Sequence, residues 1–309
     1  MKKKTLRILA AVAVALAIPY VAFDLERTTL TETIRKDLPG RFVKLSDGVT
    51  HYSWQGPEKD PVVVLVHGFT TPLFVWDNTA PALAAAGLRV LRYDLYGRGL
   101  SDRPVVDYTE DLFHRQLTEL LAALNVNGAV RLVGFSMGAA VAAIVAARAP
   151  GRVDKLVLIA PAGFPVNLPV TGRLVRLPVL GPYLMTALGD GSLIRGVRKA
   201  LYDPRNAPTF TEKFKIQLTY KGYKRAIVST LNHFDIHNQQ AAYEAAGRHP
   251  RPVLVIWGKQ DTVIPFGHSR LVKRAMPRAQ LLALEAAGHV CHYESPAAVN
   301  PALVGFLKP

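Results

Sequence analysis

The chain has 309 residues, of which 50% are hydrophobic, and a formal net charge of +15. This length suits one large α/β domain with an insertion, or two small domains. The charged fraction of 20% is ordinary and excludes a disordered chain. The single cysteine, Cys291, excludes an internal disulfide, so cysteine usage does not identify the compartment. Bases and acids interleave without an RNA- or DNA-binding motif, so no nucleic-acid partner is expected.

A group of cations precedes an apolar stretch at the N-terminus. The lysines at positions 2–4 and Arg7 stand before the apolar run Ile8–Phe23, which is the pattern of an export signal. Because no A-x-A-like cleavage site follows, residues 1–23 are predicted to be an uncleaved signal-anchor, in preference to a cleaved signal peptide or a buried helix. Either signal would give a chain that is membrane-anchored or secreted and lies outside the cytoplasm, on the periplasmic side in a bacterium.

Beyond this segment, apolar strands alternate with helices. Residues 24–40 are polar and are predicted to form a linker or short helix, and Asp47-Gly48 predicts a hairpin turn. Six apolar runs predict buried strands: Pro61–Val66, Leu88–Tyr93, Val130–Val133, Val153–Ile159, Pro252–Trp257 and Gln280–Leu284. Helical spacing marks Asp77–Ala86, Asp111–Leu124, Ser136–Ala149, Phe266–Ala275 and Pro296–Leu307. This alternation predicts an α/β fold, with a mostly parallel sheet and helices on both faces.

One interval breaks the alternation. From Ala162 to about Arg251 the chain holds proline-rich and apolar helical pieces without a further strand. Residues 41–161 and 252–309 are therefore predicted to form the α/β core. Residues 162–251 are predicted to be an insertion that lies over the carboxyl edge of the sheet.

A candidate nucleophile follows the third of the buried strands. The strand runs into Gly134–Gly138, which reads Gly-Phe-Ser-Met-Gly, and a helix of small residues comes next. This is the G-x-S-x-G pattern in the strand–turn–helix setting that it requires. The two glycines allow a sharp turn and a close helix, so Ser136 is predicted to present its hydroxyl as a nucleophile. The remaining interpretation is a glycine-rich turn with an incidental serine.

A serine hydroxyl needs a base to accept its proton, and a histidine is expected in that role. His289 follows the last predicted strand, in a loop that reaches the carboxyl edge of the sheet. His292 is its local competitor. His289 is favoured as general base because a glycine precedes it and because of its distance from the end of the strand.

A carboxylate is expected to orient this base. Asp261 lies four residues after the end of the preceding strand. The order Ser, Asp, His along the chain is the one found together with the G-x-S-x-G turn. The strand that ends at Ile159 offers no acid. Asp94 is the remaining candidate, but its glycine- and arginine-rich surroundings indicate a structural loop network.

Donors for a developing oxyanion are expected beside the serine. His67-Gly68-Phe69 follows the first buried strand. The backbone N–H groups of Phe69 and Met137 are predicted to supply the oxyanion hole. His67 itself is predicted to brace the loop.

Five motifs in order carry a family resemblance: His67–Phe69, Tyr93–Ser101, Gly134–Gly138, Trp257–Asp261 and Gly288–His289. With these motifs the chain resembles the α/β-hydrolase superfamily from Arg41 to the C-terminus, outside the insertion. It is most similar to the branch of single-domain esterases, monoacylglycerol-lipase-like enzymes and meta-cleavage C–C hydrolases. The resemblance implies that residues 162–251 form a helical cap. Serine at the elbow argues against haloalkane dehalogenases and epoxide hydrolases, which carry aspartate there.

The expected activity is hydrolysis of carboxylic esters with a small to medium apolar acyl or aryl group, without metal or organic cofactor. C–C bond hydrolysis is an alternative that Val290 disfavours, since such enzymes commonly have tryptophan after the histidine. The other alternative is a non-catalytic binding protein with the same fold. Apolar residues of the insertion are expected either to line the pocket or to pack within the cap: Phe164, Val166, Leu168, Leu174, Leu177, Val179, Leu180, Leu184 and Met185.

Overall fold

The computed structural model describes residues 2–22, 24–58, 61–166 and 170–308. The strands in these residues are β1 (Arg41–Lys44), β2 (Val49–Gln55), β3 (Val62–Val66), β4 (Arg89–Tyr93), β5 (Val130–Phe135), β6 (Val153–Ile159), β7 (Val253–Gly258) and β8 (Gln280–Leu284). The α-helices are α1 (Lys2–Ala22), α2 (Glu32–Lys36), α3 (Ala80–Ala85), α4 (Glu110–Ala123), α5 (Met137–Arg148), α6 (Val170–Leu174), α7 (Leu180–Lys199), α8 (Ala207–Leu218), α9 (Tyr223–His233), α10 (Gln240–Gly247), α11 (Ser269–Ala275), α12 (Cys291–Glu294) and α13 (Pro296–Leu307).

All eight of these strands form one sheet in the order β1-β2-β4-β3-β5-β6-β7-β8. β1 pairs with β2 and β2 with β4 in antiparallel fashion, whereas every pair from β4 to β8 is parallel. Each residue of β3, β5 and β7 is buried, as expected for strands that helices cover on both faces. The predicted mostly parallel α/β fold is confirmed.

Helix α5 fixes the centre of this architecture. Ten consecutive residues, from Met137 to Ala146, are buried. Most of them are alanine, glycine or valine, so the helix packs closely against β5, β6 and α10. Its N-terminus therefore meets the carboxyl end of β5 at a well-determined position.

Helices α6 to α10 lie between β6 and β7 in the chain, where the alternation of strands and helices stops. We call residues 162–251 the cap segment. It has apolar packing of its own, since Phe210, Phe214 and Tyr243 are fully buried. Thirteen of the 38 Lys and Arg residues fall in it, but only five of the 23 Asp and Glu residues. The cap segment is therefore more basic than the rest of the chain.

The polar stretch after α1 is bonded to the cap segment. The carboxylate of Glu26 accepts from the backbone N–H groups of Gly222 (2.7 Å) and Lys224 (2.6 Å) at the start of α9. The buried ammonium of Lys224 in turn lies 2.7 Å from Asp24 and 3.0 Å from Asp190 on α7. These contacts tie residues 24–26 to two cap helices.

The predicted membrane anchor is wrong. Within the described ranges of the chain, no helix is both long enough and apolar enough to cross a bilayer. Helix α1 spans 21 residues, but it includes the cations up to Arg7. The fifteen residues from Ile8 to Ala22 would cover about 22 Å, short of the roughly 30 Å hydrocarbon core. The membrane-anchored localisation inferred from that segment is wrong with it, and Phe23 lies outside the described residues.

Candidate active site

Ser136 occupies the turn between β5 and α5. Its backbone has φ 55° and ψ −120°, a conformation that non-glycine residues rarely adopt and that often marks functional sites. The Ser136 N–H donates to the carbonyl of Ile159 on β6 at 2.9 Å, which fixes the turn to the neighbouring strand. The residue is only 6% exposed.

The glycines on either side of Ser136 are required by close approach of the backbone. A Cβ atom at Gly134 would lie 2.3 Å from the carbonyl oxygen of Gly138. A Cβ atom at Gly138 would lie 2.3 Å from the carbonyl oxygens of Val66 and His67. Both distances are impossible for real contacts, so the spacing G-x-S-x-G follows directly from the geometry of this turn.

The structure brings His289 and Asp261 to this serine. His289 Nε2 lies 3.0 Å from Ser136 Oγ, and His289 Nδ1 lies 2.8 Å from Asp261 Oδ2. All three side chains are less than one-tenth exposed. Residues 153 positions apart in sequence are thus joined by one hydrogen bond, because the turn after β5 and the loop after β8 meet at the carboxyl edge of the sheet.

Asp261 is held by the turn that follows β7. Its Oδ1 accepts from the N–H groups of Val263 and Ile264, both at 2.8 Å. Its Oδ2 accepts from the indole of Trp257 at 3.2 Å as well as from His289. With these donors the carboxylate is oriented before any ligand binds, and the imidazole tautomer with a proton on Nδ1 is favoured.

The two predicted oxyanion donors come from two segments close to Ser136. Met137 is the first residue of α5, so its N–H has no acceptor within the helix. Phe69 belongs to the loop after β3, and this loop is so close that a Cβ atom at Gly68 would lie 3.2 Å from Ser136 Cβ. Arg98 Nε donates to the Phe69 carbonyl at 2.8 Å, and its guanidinium lies 5.4 Å from the Phe69 ring. This buried arginine holds the loop in place.

His67 and Asp94 form a bracing network beneath that loop. His67 Nε2 accepts from the Leu95 N–H at 2.8 Å and Nδ1 lies 2.9 Å from the Gly68 carbonyl. Desolvation lowers the pKa of His67 to about 4, so the ring is neutral at pH 7. The Asp94 carboxylate accepts from the N–H groups of Leu73 and Leu100. Its contacts are those of a structural residue, as its sequence setting indicates.

His292 does not reach Ser136 by any hydrogen bond in the described structure. Its ring is fully buried between Trp76 and Phe135, with centroid distances of 4.5 and 4.6 Å. Burial lowers its pKa to about 3. The two histidines therefore differ in surroundings although only three positions separate them: His289 is hydrogen-bonded at both nitrogens, and His292 is part of the core.

A cavity of about 540 Å³ lies over Ser136 and His289. Its walls come from the Phe69 loop on one side and from α6 and α7 of the cap segment on the other. They are mostly apolar. Ala200, the C-cap of α7, lines the cavity together with a stripe of residues from α7: Leu184, Met185, Leu188, Gly189, Ser192, Leu193, Arg195, Gly196 and Val197. The volume is typical of small-molecule sites.

The apolar residues of the insertion separate into three groups. Leu174, Leu184 and Met185 line the cavity. Phe164 is buried against Tyr243 with ring centroids 5.6 Å apart, so it packs within the cap segment. Leu177, Val179 and Leu180 are exposed; Val166 is half-buried, and Leu168 lies outside the described residues.

Among the described side chains, no group of three or more His, Cys, Asp and Glu residues is placed to hold a metal ion.

Two residues beside the site carry no clear signal in the sequence. Arg98 supports Phe69, and it can be recognised only as one of several polar residues in the Tyr93–Ser101 motif. Glu294 contacts the loop of His289, and its only signal is that it is the sole Asp, Glu, Lys or Arg between Ala286 and Phe306.

The chain belongs to the alpha/beta hydrolase fold family, whose model matches residues 61–296. Among its relatives, an uncharacterised protein of Mycobacterium tuberculosis is 28% identical over 77% of this chain and 72% of its own length. Lipase 1 of Psychrobacter immobilis is 27% identical over 84% of this chain and 81% of its own length. In structure, a thermophilic esterase from Thermogutta terrifontis is similar with a TM-score of 0.74 and 23% identity, covering 87% of this chain and 98% of that one. The chain therefore has the alpha/beta hydrolase fold, with a lipase among its relatives and an esterase among the structures that share the fold.

Proposed function

We propose that this protein is a serine hydrolase that cleaves carboxylic esters with a small to medium apolar acyl or aryl group. The observation that carries the proposal is the continuous hydrogen-bond chain from Ser136 through His289 to Asp261 at the floor of an apolar cavity. Lipase and esterase relatives support the same class of reaction.

In the first step, Ser136 Oγ attacks the ester carbonyl carbon while its proton passes to His289 Nε2. The Asp261 carboxylate stabilises the imidazolium and keeps its orientation. Negative charge develops on the former carbonyl oxygen, where the N–H groups of Phe69 and Met137 are proposed to stabilise it. The C–O bond then breaks, the alcohol leaves with the proton from His289, and the acyl group remains on Ser136.

In the second step, water attacks the acyl-enzyme and His289 accepts its proton. Collapse of the second tetrahedral intermediate breaks the bond to Ser136 Oγ, which regains the proton, and the carboxylic acid leaves. The same three side chains serve both steps, so the cycle consumes one water and requires no further group.

Labelling with a fluorophosphonate tests whether Ser136 is an activated nucleophile. The wild-type chain is expected to be labelled stoichiometrically, and Ser136→Ala, the matched control, is expected to remain unlabelled with an unchanged melting temperature. Folded wild-type protein that is not labelled would contradict the proposal and leave the non-catalytic binding protein as the better interpretation.

A substrate panel tests the bond that is cleaved. Hydrolysis of p-nitrophenyl esters from acetyl to dodecanoyl is compared with hydrolysis of a ring-cleavage dienoate, the substrate type of C–C hydrolases. The cavity walls are mostly apolar, which suits the esters, while Arg195 in the lining makes the anionic dienoate the informative competitor. A higher kcat/KM for the dienoate than for every ester would transfer the assignment to C–C hydrolysis.

The cavity itself can be tested at Gly196 on α7. This residue lines the cavity, and a Cβ atom there would meet no atom within 4 Å, so Gly196→Phe adds a ring without a backbone clash. We expect kcat/KM to fall about tenfold or more for octanoyl and longer esters, with a smaller loss for the acetyl ester. The control is Gly305→Phe on α13, where an added Cβ atom also meets nothing. Equal losses at all chain lengths would show that the acyl group binds elsewhere.

A further inference from the structure

The carboxylate of Glu294, at the end of α12, bridges two separate parts of the chain. Oε1 accepts from the backbone N–H groups of Tyr202 (2.6 Å) and Asp203 (2.9 Å), which belong to the cap segment. Oε2 accepts from the N–H of Gly288 at 3.3 Å. Gly288 directly precedes His289, so one side chain joins the end of the cap helix α7 to the loop of the proposed base.

A second contact joins the same two segments. The N–H of His289 donates to the carbonyl of Ala200 at 2.9 Å, and Ala200 both terminates α7 and lines the cavity. A Cβ atom at Gly288 would lie 2.8 Å from the Ala200 oxygen and 2.8 Å from the Tyr202 nitrogen. The loop of His289 therefore rests directly against the cap segment.

The surroundings of Glu294 differ from those of a surface ion pair. Its carboxylate is half-buried, and within the described part of the chain no Lys or Arg side chain forms a salt bridge with it. Burial raises the pKa of this carboxyl, and the three backbone donors counteract that effect. Its three hydrogen-bond donors are backbone N–H groups from two segments, so the carboxylate holds these backbone segments together.

We propose that Glu294 is a positioning residue: it fixes the loop of His289 against the C-terminal end of α7, so that the cap segment helps to set the distance from His289 Nε2 to Ser136 Oγ. The proposal rests on the function proposed above. It means that the cap segment contributes to the chemical step, in addition to forming the wall of the cavity. Glu294 contacts neither the substrate cavity nor Ser136, and it acts through backbone atoms.

Glu294→Gln tests this role with an isosteric side chain. An amide has one oxygen, so it can accept either from Gly288 or from the Tyr202–Asp203 pair, and its NH₂ group then faces a donor on the other side. We expect kcat to fall about 10- to 100-fold, as for a displacement of a catalytic group by up to 1 Å, with KM changed less than twofold. The rate of fluorophosphonate labelling should fall by the same factor.

Two further variants complete the design. Glu294→Asp keeps the charge but is too short to reach both sets of donors, so kcat is expected to fall here as well. Glu285→Gln is the matched control, since Glu285 precedes the same loop, is exposed and, among the described side chains, pairs with Lys259 alone. This variant should match wild type. The melting temperature of every variant is measured, and all rates are determined at a temperature well below the lowest of these melting temperatures.

The outcomes separate the two proposals. A fall in kcat at constant KM in folded Glu294→Gln and Glu294→Asp, with Glu285→Gln unchanged, supports the positioning role. The positioning role would be overturned by a kcat within twofold of wild type in either folded Glu294 variant. It would also be overturned if kcat/KM fell only because KM rose. Wild-type protein without labelling or esterase activity would instead refute the proposed function.

Discussion

The floor of the site and the cap above it are built under opposite constraints. In the floor, a Cβ atom at Gly134 or Gly138 would lie 2.3 Å from backbone atoms, whereas in the cap Gly196 has open space around it. Ser136, His289 and Asp261 in the floor are buried and hydrogen-bonded, whereas the cap segment exposes apolar side chains such as Leu188 at 61%. The floor can therefore vary little without loss of its geometry, while the cap wall has room to change.

The largest effect is expected from Asp261→Asn, which tests the geometry of the floor. An asparagine must turn its NH₂ group either toward His289 or toward the Val263 and Ile264 N–H groups, so the imidazole loses the tautomer that can accept a proton. We expect kcat for the best ester to fall about 1,000- to 10,000-fold. Steady-state kinetics measure this loss. A fall of less than tenfold in a folded variant would remove Asp261 from its proposed role.

The next largest effect is expected at Gly138. An alanine there would force its Cβ against the carbonyl oxygens of Val66 and His67, and backbone atoms of a central strand cannot yield cheaply. We expect Gly138→Ala to lower the free energy of unfolding by about 3 kcal/mol or more. Urea denaturation measures it. A loss below about 1 kcal/mol would show that the floor is more adaptable than its close contacts imply.

A smaller effect on stability is expected from His292, a buried histidine that takes no part in the proposed chemistry. Because the pKa of His292 is lowered from 6.5 to about 3 by burial, the unfolded chain binds a proton that the folded chain does not once the pH falls below about 6.5. Stability is therefore lost as pH decreases. His292→Phe, which keeps an aromatic ring between Trp76 and Phe135, should remove about 2 kcal/mol of the loss between pH 8 and pH 5. Urea denaturation of both proteins at the two pH values checks this, and parallel curves would contradict it.

The smallest effect is expected in the cap and has the opposite sign. Gly196→Ala replaces a helix-interior glycine where the added Cβ meets nothing, so it should raise the free energy of unfolding by about 0.5–1 kcal/mol. Thermal and urea denaturation measure the gain. Destabilisation by this change would mean that the cap is packed as tightly as the floor, and the comparison would fail.

Local sequence was sufficient to predict the fold class and the sharp turn that holds Ser136 between β5 and α5. The buried strands have continuous apolar runs, and the turn at Ser136 is encoded by five adjacent residues, so no distant contact was needed to recognise either. The apolar run at the N-terminus led to the wrong prediction of a membrane anchor, because the cations of α1 occupy part of the helix and shorten its apolar part.

Only the tertiary structure decided which side chains meet. Sequence favoured His289 over His292 without excluding either, and the path of the loop after β8 places one against Ser136 and the other in the core. The contact of Glu294 with Tyr202 joins residues 92 positions apart, and no local pattern encodes it. Sequence specified the turns and strands because their energetics are local, whereas the cavity wall and the support of His289 depend on how an inserted segment packs against a distant loop.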